Sequence, residues 1–475
     1  MKNKKLQKSV CGVLCGVLAT SGLVSGIAFA NTDGGSSAEE FAPVFRMAVC
    51  SDVHIATGYN PIQEEKFQKF FDSLYAYADN EEYSAMDAVV VTGDLTHNSE
   101  VRQMKTFRDI VKKNLRRETE FLSILGNHDG ETTGNDINAV EYKDWVHTET
   151  DRHLVVKGFH LIGQSNADAN ANFEQAQYDW MAQQLVQAEA DDENKPIFVF
   201  QHQHVKDTVQ GSGSAFNVVK VRGETYETAT AFNDLYSNYS QIIHFSGHSH
   251  TPSNSPWSIY QDGYTTIDVG SSFSSMSFSF AGFGENLKET LGKSAFDNAQ
   301  SALPNAVNAA NLFRIVEVDA NNAVRVLTYD MKTEALVKTP ATTDAEDELL
   351  VFEIDVKNPT KYTADRANNA SAPYFASGET VSVTPSTTTA TIAFAQAQDD
   401  ECMCAYKVIC TPTDGEVLTF AFIDDFYYPT LAGSAESFEL TGLTANTEYS
   451  VSVIPCNIWG VAGEAITASF TTLAE

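Results

Sequence analysis

The sequence predicts an α/β domain followed by a smaller all-β sandwich. From about residue 44 onward, short apolar runs alternate with segments of helical periodicity, which is typical of strand–helix–strand units. From about residue 376 the pattern changes to seven short alternating strands separated by Thr/Ser-rich turns, which favours a β-sandwich. The length of 475 residues allows two or three domains.

The elements of the α/β part follow from the spacing of its apolar residues. Helices with one apolar face are predicted to open at Pro61, near Val101 and around residues 175 to 189. The last two strands of this part are predicted to pair as a closing hairpin. The predicted strands are FRMAVC at 45–50, DAVVVT at 87–92, FLSIL at 121–125, residues 154–163, IFVFQ at 197–201, IIHFS at 242–246, YTTIDV at 264–269, LFRIVEVD at 312–319 and AVRVLTYD at 323–330.

Polar segments delimit the domains. Residues 270–285 are rich in Gly and Ser and are predicted as a loop, and residues 286–310 are predicted as an insertion. The polar, proline-containing segment 356–375 has no clear period, so we predict a linker there. The α/β domain would then span 41–355 and the β domain 376–475.

Residues 1–30 are predicted to be a secretory signal peptide. Four lysines precede a stretch rich in small residues that ends in Ala28-Phe29-Ala30, a cleavage pattern. We therefore expect a secreted or extracytoplasmic protein, in which the four cysteines after residue 400 could form disulfides of undetermined pairing. The formal net charge of −32 at pH 7 makes nucleic acid an unexpected partner.

Polar clusters follow five of the predicted strands at the point where each strand ends. In open α/β sheets, ligands bind beyond the carboxyl ends of the strands. The motif GHSH also places two imidazoles one residue apart, on the same side of an extended chain. One such cluster could be an ordinary polar loop, but five at strand ends favour a catalytic site. The residues are Asp52 and His54, Asp94, Asn127, His128 and Asp129, His202, and His248 and His250.

These side chains suit metal ions. Imidazoles, carboxylates and one amide oxygen form a ligand set typical of divalent first-row metals such as Fe, Mn, Zn or Ni. Seven candidate ligands exceed the number that one ion takes. Two ions about 3.5 to 4 Å apart, bridged by a carboxylate, would use the whole set and would serve in-line hydrolysis of phosphoric esters. We therefore expect two divalent cations and a phosphate ester substrate.

The five motifs DxH, GD, GNHD, a single histidine and GHxH occur in the order typical of one family. Residues 41–355 resemble the calcineurin-like metallophosphoesterase family in this respect. The resemblance implies an αββα sandwich with the metals at one edge, and a hydroxide between the metals that attacks phosphorus. The implied ligands are Asp52, His54 and His250 for one ion, Asn127, His202 and His248 for the other, and Asp94 as the bridge.

The resemblance also implies roles for two residues that do not bind metal. His128 corresponds to a histidine that contacts the phosphate and protonates the leaving oxygen, and Asp129 would orient it. The glycines that precede the motif residues would permit sharp turns at the strand ends.

Two parts of the sequence depart from the family pattern. The fourth block is QHQHV, so His202 is the ligand candidate and His204 the fallback or a substrate contact. His97 stands at the third position after Asp94, where purple acid phosphatases carry a tyrosine, so a tyrosinate–iron site is not implied. His97 itself is equally consistent with a surface loop histidine and with a role beside the ligands or the substrate.

The β domain resembles fibronectin type III domains in the stretch LTGLTANTEYSVSVIPCNIWG. Leu443 and Tyr449 match the leucine and tyrosine-corner positions of that family. The strands of this domain carry no ligand cluster, so we expect an appendage for spacing or for attachment to a cell surface or matrix.

Two functions of different class compete. The first is a secreted binuclear phosphoesterase that hydrolyses phosphate mono- or diesters, with the spacing of the GD and GNHD blocks resembling phosphodiesterases. The second is an extracellular binding or adhesion protein in which the metal domain is structural. Degenerate ligands would favour the second function, whereas this sequence retains the whole set.

Overall fold

In the computed structural model of the chain, short connections join most of the helices and strands of the α/β part. The predicted signal peptide, residues 1–30, lies outside the described residues, as does most of 270–310. Within the described part, no helix is both long and apolar enough to cross a bilayer. The structure describes residues 41–59, 61–130, 142–143, 146–147, 149–168, 172–213, 216–272, 284–293, 295, 311–339, 348–424 and 435–475.

The predicted strands and helices occur in the predicted order, together with short elements that the sequence pattern did not indicate. The elements are β1 Pro43–Cys50, α1 Ile62–Asn80, β2 Ala88–Thr92, α2 Val101–Asn114, β3 Glu120–Ile124, β4 Arg152–Val156, β5 Phe159–Gly163, β6 Asn172–Phe173, α3 Gln175–Asp191, β7 Ile197–Phe200, β8 Lys220–Val221, α4 Ala231–Tyr236, β9 Ile242–Ser246, β10 Ile259–Gln261, β11 Thr265–Asp268, α5 Gly284–Leu291, β12 Leu312–Asp319, β13 Val324–Asp330, β14 Ala335–Leu336 and β15 Val351–Ile354.

Helix α1 shows why these segments fold as they do. It begins after Pro61, whose fixed φ suits a helix start. Glu64 and Glu65 lie in its first turn, where the helix dipole favours negative charge. Phe67, Phe70, Phe71 and Leu74 recur at helical spacing, and all four are buried against the adjacent sheet and helix α2.

Two mixed sheets stack face to face. The first has the strand order β14-β13-β12-β1-β2-β3, with β15 paired to β13, and the second has the order β10-β11-β9-β7-β5-β4. Strands β1, β2 and β3 are parallel, as are β5, β7, β9 and β11. An apolar core fills the space between the sheets, and helices α1 and α2 cover one outer face while α3 and α4 cover the other. The predicted αββα sandwich is therefore confirmed.

The second sheet contains one chain reversal that the sequence pattern did not predict. The segment 154–163, predicted as one strand, forms the antiparallel pair β4 and β5. The turn between them places Lys157 at a φ of 51° and Gly158 at a φ of 82°. A lysine gives no sequence signal for a left-handed backbone, so the apolar alternation on either side looked continuous.

The C-terminal part is a β-sandwich, as predicted, with all seven strands present. It follows a short helix, α6, and consists of a three-stranded sheet β16-β17-β20 and a four-stranded sheet β19-β18-β21-β22. The five cysteines of the described residues are buried, and none of them forms a disulfide, so the disulfides considered for the four late cysteines are not seen. The elements are α6 Asp365–Asn369, β16 Ser382–Pro385, β17 Ala390–Ala395, β18 Met403–Pro412, β19 Leu418–Ile423, β20 Ala435–Leu440, β21 Glu448–Asn457 and β22 Ile466–Thr471.

The sandwich shares an apolar core with helix α5 of the predicted insertion, a contact that the sequence pattern does not indicate. Leu287 and Leu291 of α5 are buried in one cluster with residues of β18, β19 and β21. Thr290 donates a hydrogen bond to the Gly460 carbonyl at 2.7 Å. Residues Pro43–Glu475 accordingly form one compact unit.

The segment 356–375 reinforces this contact. Arg366 of α6 donates to the carbonyl oxygens of Pro256 and Ile259 at 2.8 and 2.6 Å. Its guanidinium lies 5.1 Å from the ring centroid of Trp459, which in turn contacts the ring of Trp257 at 5.5 Å. The segment therefore connects the sandwich to the loop that follows β9.

We expect the shared core to contribute to the stability of the whole chain. Leu291→Ala should lower the free energy of unfolding by about 2 to 5 kcal/mol, because it removes a fully buried side chain. Chemical denaturation followed by fluorescence measures this change. The exposed neighbour Glu289 provides the control Glu289→Ala. Equal losses in both variants would show that α5 and the sandwich do not share a core.

Candidate active site

The seven predicted metal ligands lie just beyond the ends of five parallel strands. Two of the loops leave the first sheet after β1 and β2, and one 3-10 turn at Asn127–Asp129 follows β3. Two more loops leave the second sheet after β7 and β9. The structure thus brings together, from both sheets, Asp52, His54, Asp94, Asn127, His202, His248 and His250.

One group of donors surrounds Asp52. Its Oδ1 lies 3.0 Å from Nε2 of His250 and 3.8 Å from Nε2 of His54. The two imidazole Nε2 atoms are 3.3 Å apart, and Nε2 of His54 lies 3.5 Å from Oδ2 of Asp94. Four donor atoms, one from each residue, lie within 4.8 Å of one another.

A second group shares Asp94 with the first. Oδ2 of Asp94 lies 3.2 Å from Nε2 of His202, which is 3.1 Å from Oδ1 of Asn127. One donor atom each from Asp94, His202 and His248 lies within 4.8 Å of the others. Asp94 therefore stands between the two groups, at the place where a bridging carboxylate would stand.

The donors fit divalent metal ions. Nitrogen and oxygen atoms bound to one ion at about 2.0 to 2.2 Å lie roughly 3 to 3.5 Å apart, as several of these pairs do. The buried Nε2 of His248 has no hydrogen-bond partner among the described residues, which fits a lone pair directed at an ion. Burial lowers the pKa of His54 to about 4, so its imidazole is neutral at pH 7 and can act as a ligand.

Hydrogen bonds hold the ligands in orientation. Nδ1 of His202 lies 2.8 Å from the Thr92 carbonyl oxygen, which directs Nε2 at the site. The amide of His248 donates to Oδ2 of Asp52 at 2.9 Å, and the amide of His128 donates to Oδ1 of Asp94 at 2.8 Å. Each carboxylate thus has one oxygen fixed by a backbone amide and the other facing imidazoles.

Five of the seven ligands have left-handed backbones, a feature that the sequence analysis did not predict. Such a conformation costs a non-glycine residue of the order of 1 to 3 kcal/mol and persists where surrounding contacts enforce it. Strain of this kind is concentrated at functional sites. The φ angles are 57° at Asp52, 47° at His54, 49° at Asp94, 66° at His248 and 56° at His250.

The motif glycines have two different roles. Gly93 has a φ of 98°, which agrees with the predicted sharp turn. At Gly126 and Gly247 the reason is space. A Cβ at Gly126 would lie 2.3 Å from Oδ1 of Asp94, and one at Gly247 would lie 2.5 Å from Oδ2 of Asp52. These two glycines let the ligand carboxylates approach the neighbouring loops.

His128 lies beside the ligands, but Asp129 does not orient its ring as expected. The ring of His128 is 4.6 Å from that of His54, and its Nδ1 lies 2.7 Å from the His97 carbonyl oxygen. The buried Asp129 carboxylate instead accepts hydrogen bonds from the amides of Leu95, Thr96 and Gly126. The His97 carbonyl therefore orients His128, and Asp129 ties two ligand-bearing loops together.

The two alternative histidines differ in position. His97 is exposed, and a nitrogen of its ring lies within 4.8 Å of ring nitrogens of His54 and His128. His204 is fully buried, with Nδ1 2.7 Å from Oγ of Ser246, and it belongs to none of the donor groups found among the described residues. The structure thus places His97, and not His204, at the open side of the site.

The fold and donor set define a class, the metal-dependent hydrolases of phosphoric esters. Residues 45–252 match the family model described as calcineurin-like phosphoesterase, and this stretch is a calcineurin-like phosphoesterase domain. That family uses a binuclear metal centre. The predicted enzyme class is therefore confirmed.

Solved structures align with different parts of the chain. A purple acid phosphatase from yellow lupin (Lupinus luteus) seeds aligns over 62% of this chain and 52% of its own, with 12% identity and a TM-score of 0.40. The FN5 domain of Drosophila Lar aligns over 22% of this chain and 99% of its own, with 19% identity and a TM-score of 0.15. No curated protein sequence gives a match.

The shared position of Asp94 leads to a prediction about metal content. Asp94→Asn should lose most of the activity and at least one ion per chain, because the amide cannot supply the second anionic oxygen to a bridge. Elemental analysis of the purified protein measures the ions. Asp109→Asn is the control, since Asp109 is exposed on α2. Unchanged metal content and turnover in Asp94→Asn would contradict the assignment.

Proposed function

We propose that this chain is an exported two-metal phosphodiesterase. The sharing of Asp94 between two groups of imidazole donors carries the proposal, because it supports a bridged pair of ions. Bound there, Fe, Mn, Zn or Ni ions supply Lewis acidity toward a phosphoryl oxygen and a nucleophile at neutral pH. The residues that would hold them are the seven ligands above, four to each ion with Asp94 in common.

The charge of the site supports a diester over a monoester substrate. The titratable groups that most affect the pKa of Asp52 and Asp94 are histidines, with no lysine or arginine among them. The segments outside the described residues contain no lysine or arginine beyond residue 40 either. A phosphate monoester at pH 7 carries more negative charge than a diester, and Arg or Lys side chains commonly bind that extra charge. A site surrounded by imidazoles suits the singly charged diester.

His128 is suited to deliver a proton to the leaving oxygen. Its Nδ1 faces the His97 carbonyl, so Nδ1 carries a hydrogen and Nε2 is the atom available to a substrate. A general acid must lie within hydrogen-bond reach of the leaving group, and the ring stands directly beside the ligand His54. His97, exposed next to it, is positioned to contact the same part of the ester.

The proposal also includes export from the cytoplasm and a binding role for the sandwich. The predicted signal peptide and the acidic composition support a location outside the cytoplasm. In the sandwich, the Tyr449 hydroxyl accepts a hydrogen bond from the Thr444 amide at 2.8 Å, and Leu443 is buried. This contact is of the tyrosine-corner type, which supports a fibronectin type III-like domain. Its sheet away from α5 is the surface we assign to a cell-surface or matrix partner.

A substrate panel tests the proposed function. The full chain is loaded with Mn, Ni, Zn or Fe and assayed on aryl phosphate, bis-aryl phosphate, cyclic nucleotides and phosphocholine esters. We expect a higher kcat/KM for diesters than for the monoester of the same aryl group. Asp94→Asn controls for contaminating activity. A metal-loaded protein that prefers the monoester would contradict the diester assignment.

The role of His128 can be tested through the leaving group. Loss of a general acid costs about 10²- to 10⁴-fold in rate. An alkoxide needs a proton to leave, whereas nitrophenolate does not. His128→Ala should therefore keep its metals, slow alkyl ester cleavage severely and slow nitrophenyl ester cleavage less.

His97→Ala serves as the matched comparison for this experiment, because His97 is the neighbouring histidine outside the ligand set. Equal slowing of both esters by His128→Ala, with metal content intact, would assign His128 to phosphate positioning instead. The acid would then be sought at His97 first.

A further inference from the structure

The buried carboxylate of Asp268 contacts the loop that carries two of the metal ligands. Asp268 is the last residue of β11, which pairs in parallel with β9, the strand that leads into GHSH. Its side chain is fully buried. Oδ2 accepts hydrogen bonds from the hydroxyls of Ser249, at 2.8 Å, and Thr251, and Oδ1 accepts one from the Gly270 amide at 2.8 Å.

The loop that Asp268 holds requires such support. Ser249 lies between His248 and His250, both of which have left-handed backbones. A left-handed backbone raises the conformational energy of a non-glycine residue, and here two such residues stand on either side of Ser249. Contacts from outside the loop must therefore enforce the conformation. The hydroxyls on either side of His250 both bond to the same buried carboxylate, which fixes the direction in which that imidazole points.

The residues after Asp268 reach the other ligand-bearing loop. The Ser272 amide lies 3.3 Å from the Ser51 carbonyl oxygen, and Oγ of Ser271 lies 3.5 Å from the carbonyl oxygen of Asp52. Gly270 packs so closely on the Thr251 carbonyl that a Cβ would lie 2.3 Å from its oxygen. One segment, 268–272, thus contacts the loops of both Asp52 and His250.

Asp268 is itself anchored from the opposite sheet. Arg314 of β12 is fully buried, and its Nη2 donates to the Asp268 carbonyl oxygen at 3.0 Å and to Oγ of Ser258 at 2.6 Å. Its Nη1 bonds to Thr328 of β13. The first sheet thereby sets the position of a residue at the end of the second.

We propose that Asp268 is a positioning residue for metal binding, acting through the hydroxyls of Ser249 and Thr251 to hold His248 and His250 in their ligand geometry. The inference rests on the two-metal site proposed above. Partners that orient metal ligands without binding the ion typically change metal affinity by about 10- to 100-fold. Asp268 thus controls how tightly the ions are held and does not touch the substrate.

Mn²⁺ titration of the metal-free full chain tests this inference. Asp268→Asn keeps the shape of the side chain but loses one anionic acceptor. We expect about 10- to 100-fold weaker Mn²⁺ binding, a kcat at saturating Mn²⁺ close to that of the parent chain, and a similar Tm of the metal-free protein. Asp262→Asn is the control, because Asp262 is exposed on the same hairpin. Unchanged Mn²⁺ affinity in Asp268→Asn would overturn the inference.

A second set of variants separates this role from general destabilisation. Thr251→Val removes one donor without changing shape, and Ser249→Ala removes the other. In the Asp268→Asn background these changes should weaken Mn²⁺ binding less than they do in the parent chain, because the same contact is already lost. Additive losses would overturn the inference.

Two further outcomes can be distinguished: Asp268→Asn does not fold, or the proposed two-metal function is itself wrong. If Asp268→Asn does not fold, Thr251→Val alone decides, and unchanged Mn²⁺ affinity there overturns the inference. If the parent chain binds no Mn²⁺, Ni²⁺ or Zn²⁺, the two-metal site itself is wrong. A failure of the present inference alone looks different, because the parent chain then binds Mn²⁺ and the variants bind it equally tightly.

Discussion

Two buried carboxylates set the main electrostatic constraint on this structure. Asp52 and Asp94 are almost fully inaccessible to water, and their strongest charged neighbours are imidazoles. Burial keeps the imidazoles of His54 and His248 neutral by lowering their pKa, so they supply lone pairs and not positive charge. Although burial alone would lower it, Asp94 raises the pKa of His202 to about 9, and Asp52 likewise raises the pKa of His250, so these two imidazoles carry positive charge in the metal-free site. Buried anions without cations are costly. Divalent metal ions would take over this compensating charge and occupy the lone pairs.

The ligands meet around the two carboxylates only if the two sheets keep a fixed position relative to each other. The first sheet supplies Asp52, Asp94 and Asn127, and the second supplies His202 and the GHSH histidines. No single strand or loop contains a complete set, so the geometry of the site depends on the apolar core between the sheets. Arg314 adds a polar contact across the same interface. Packing that looks remote from the chemistry therefore determines where the donor atoms meet.

The sequence was sufficient for the fold class because its signals are local. Apolar periodicity marks the strands and helices, and the motifs lie where parallel strands end, so their convergence follows from topology. Asp52, Asp94 and the four ligand histidines could be located in this way. His147 shows the contrast. It belongs to no motif, and no sequence pattern predicts that its ring accepts a hydrogen bond from the Ser123 amide.

Features that depend on tertiary packing could not be predicted. The left-handed backbone of His250 could not be predicted, because such a conformation is uncommon for any non-glycine residue and persists only where tertiary contacts enforce it. The family resemblance implied that Asp129 orients His128, yet its carboxylate accepts hydrogen bonds from the amides of a neighbouring loop. Asp268 ends the strand Thr265–Asp268, whose sequence TTID matches no motif. The burial of α5 against the sandwich likewise depends on an insertion whose position the sequence does not specify.

Electron paramagnetic resonance of the Mn²⁺-reconstituted full chain tests the central claim most directly. If Asp94 joins two ion sites, titration should end at two ions per chain and the spectrum should show a pair of magnetically coupled ions. The spectrum of isolated, uncoupled Mn²⁺ at saturation would contradict the account, since the two donor groups would then not form a bridged centre.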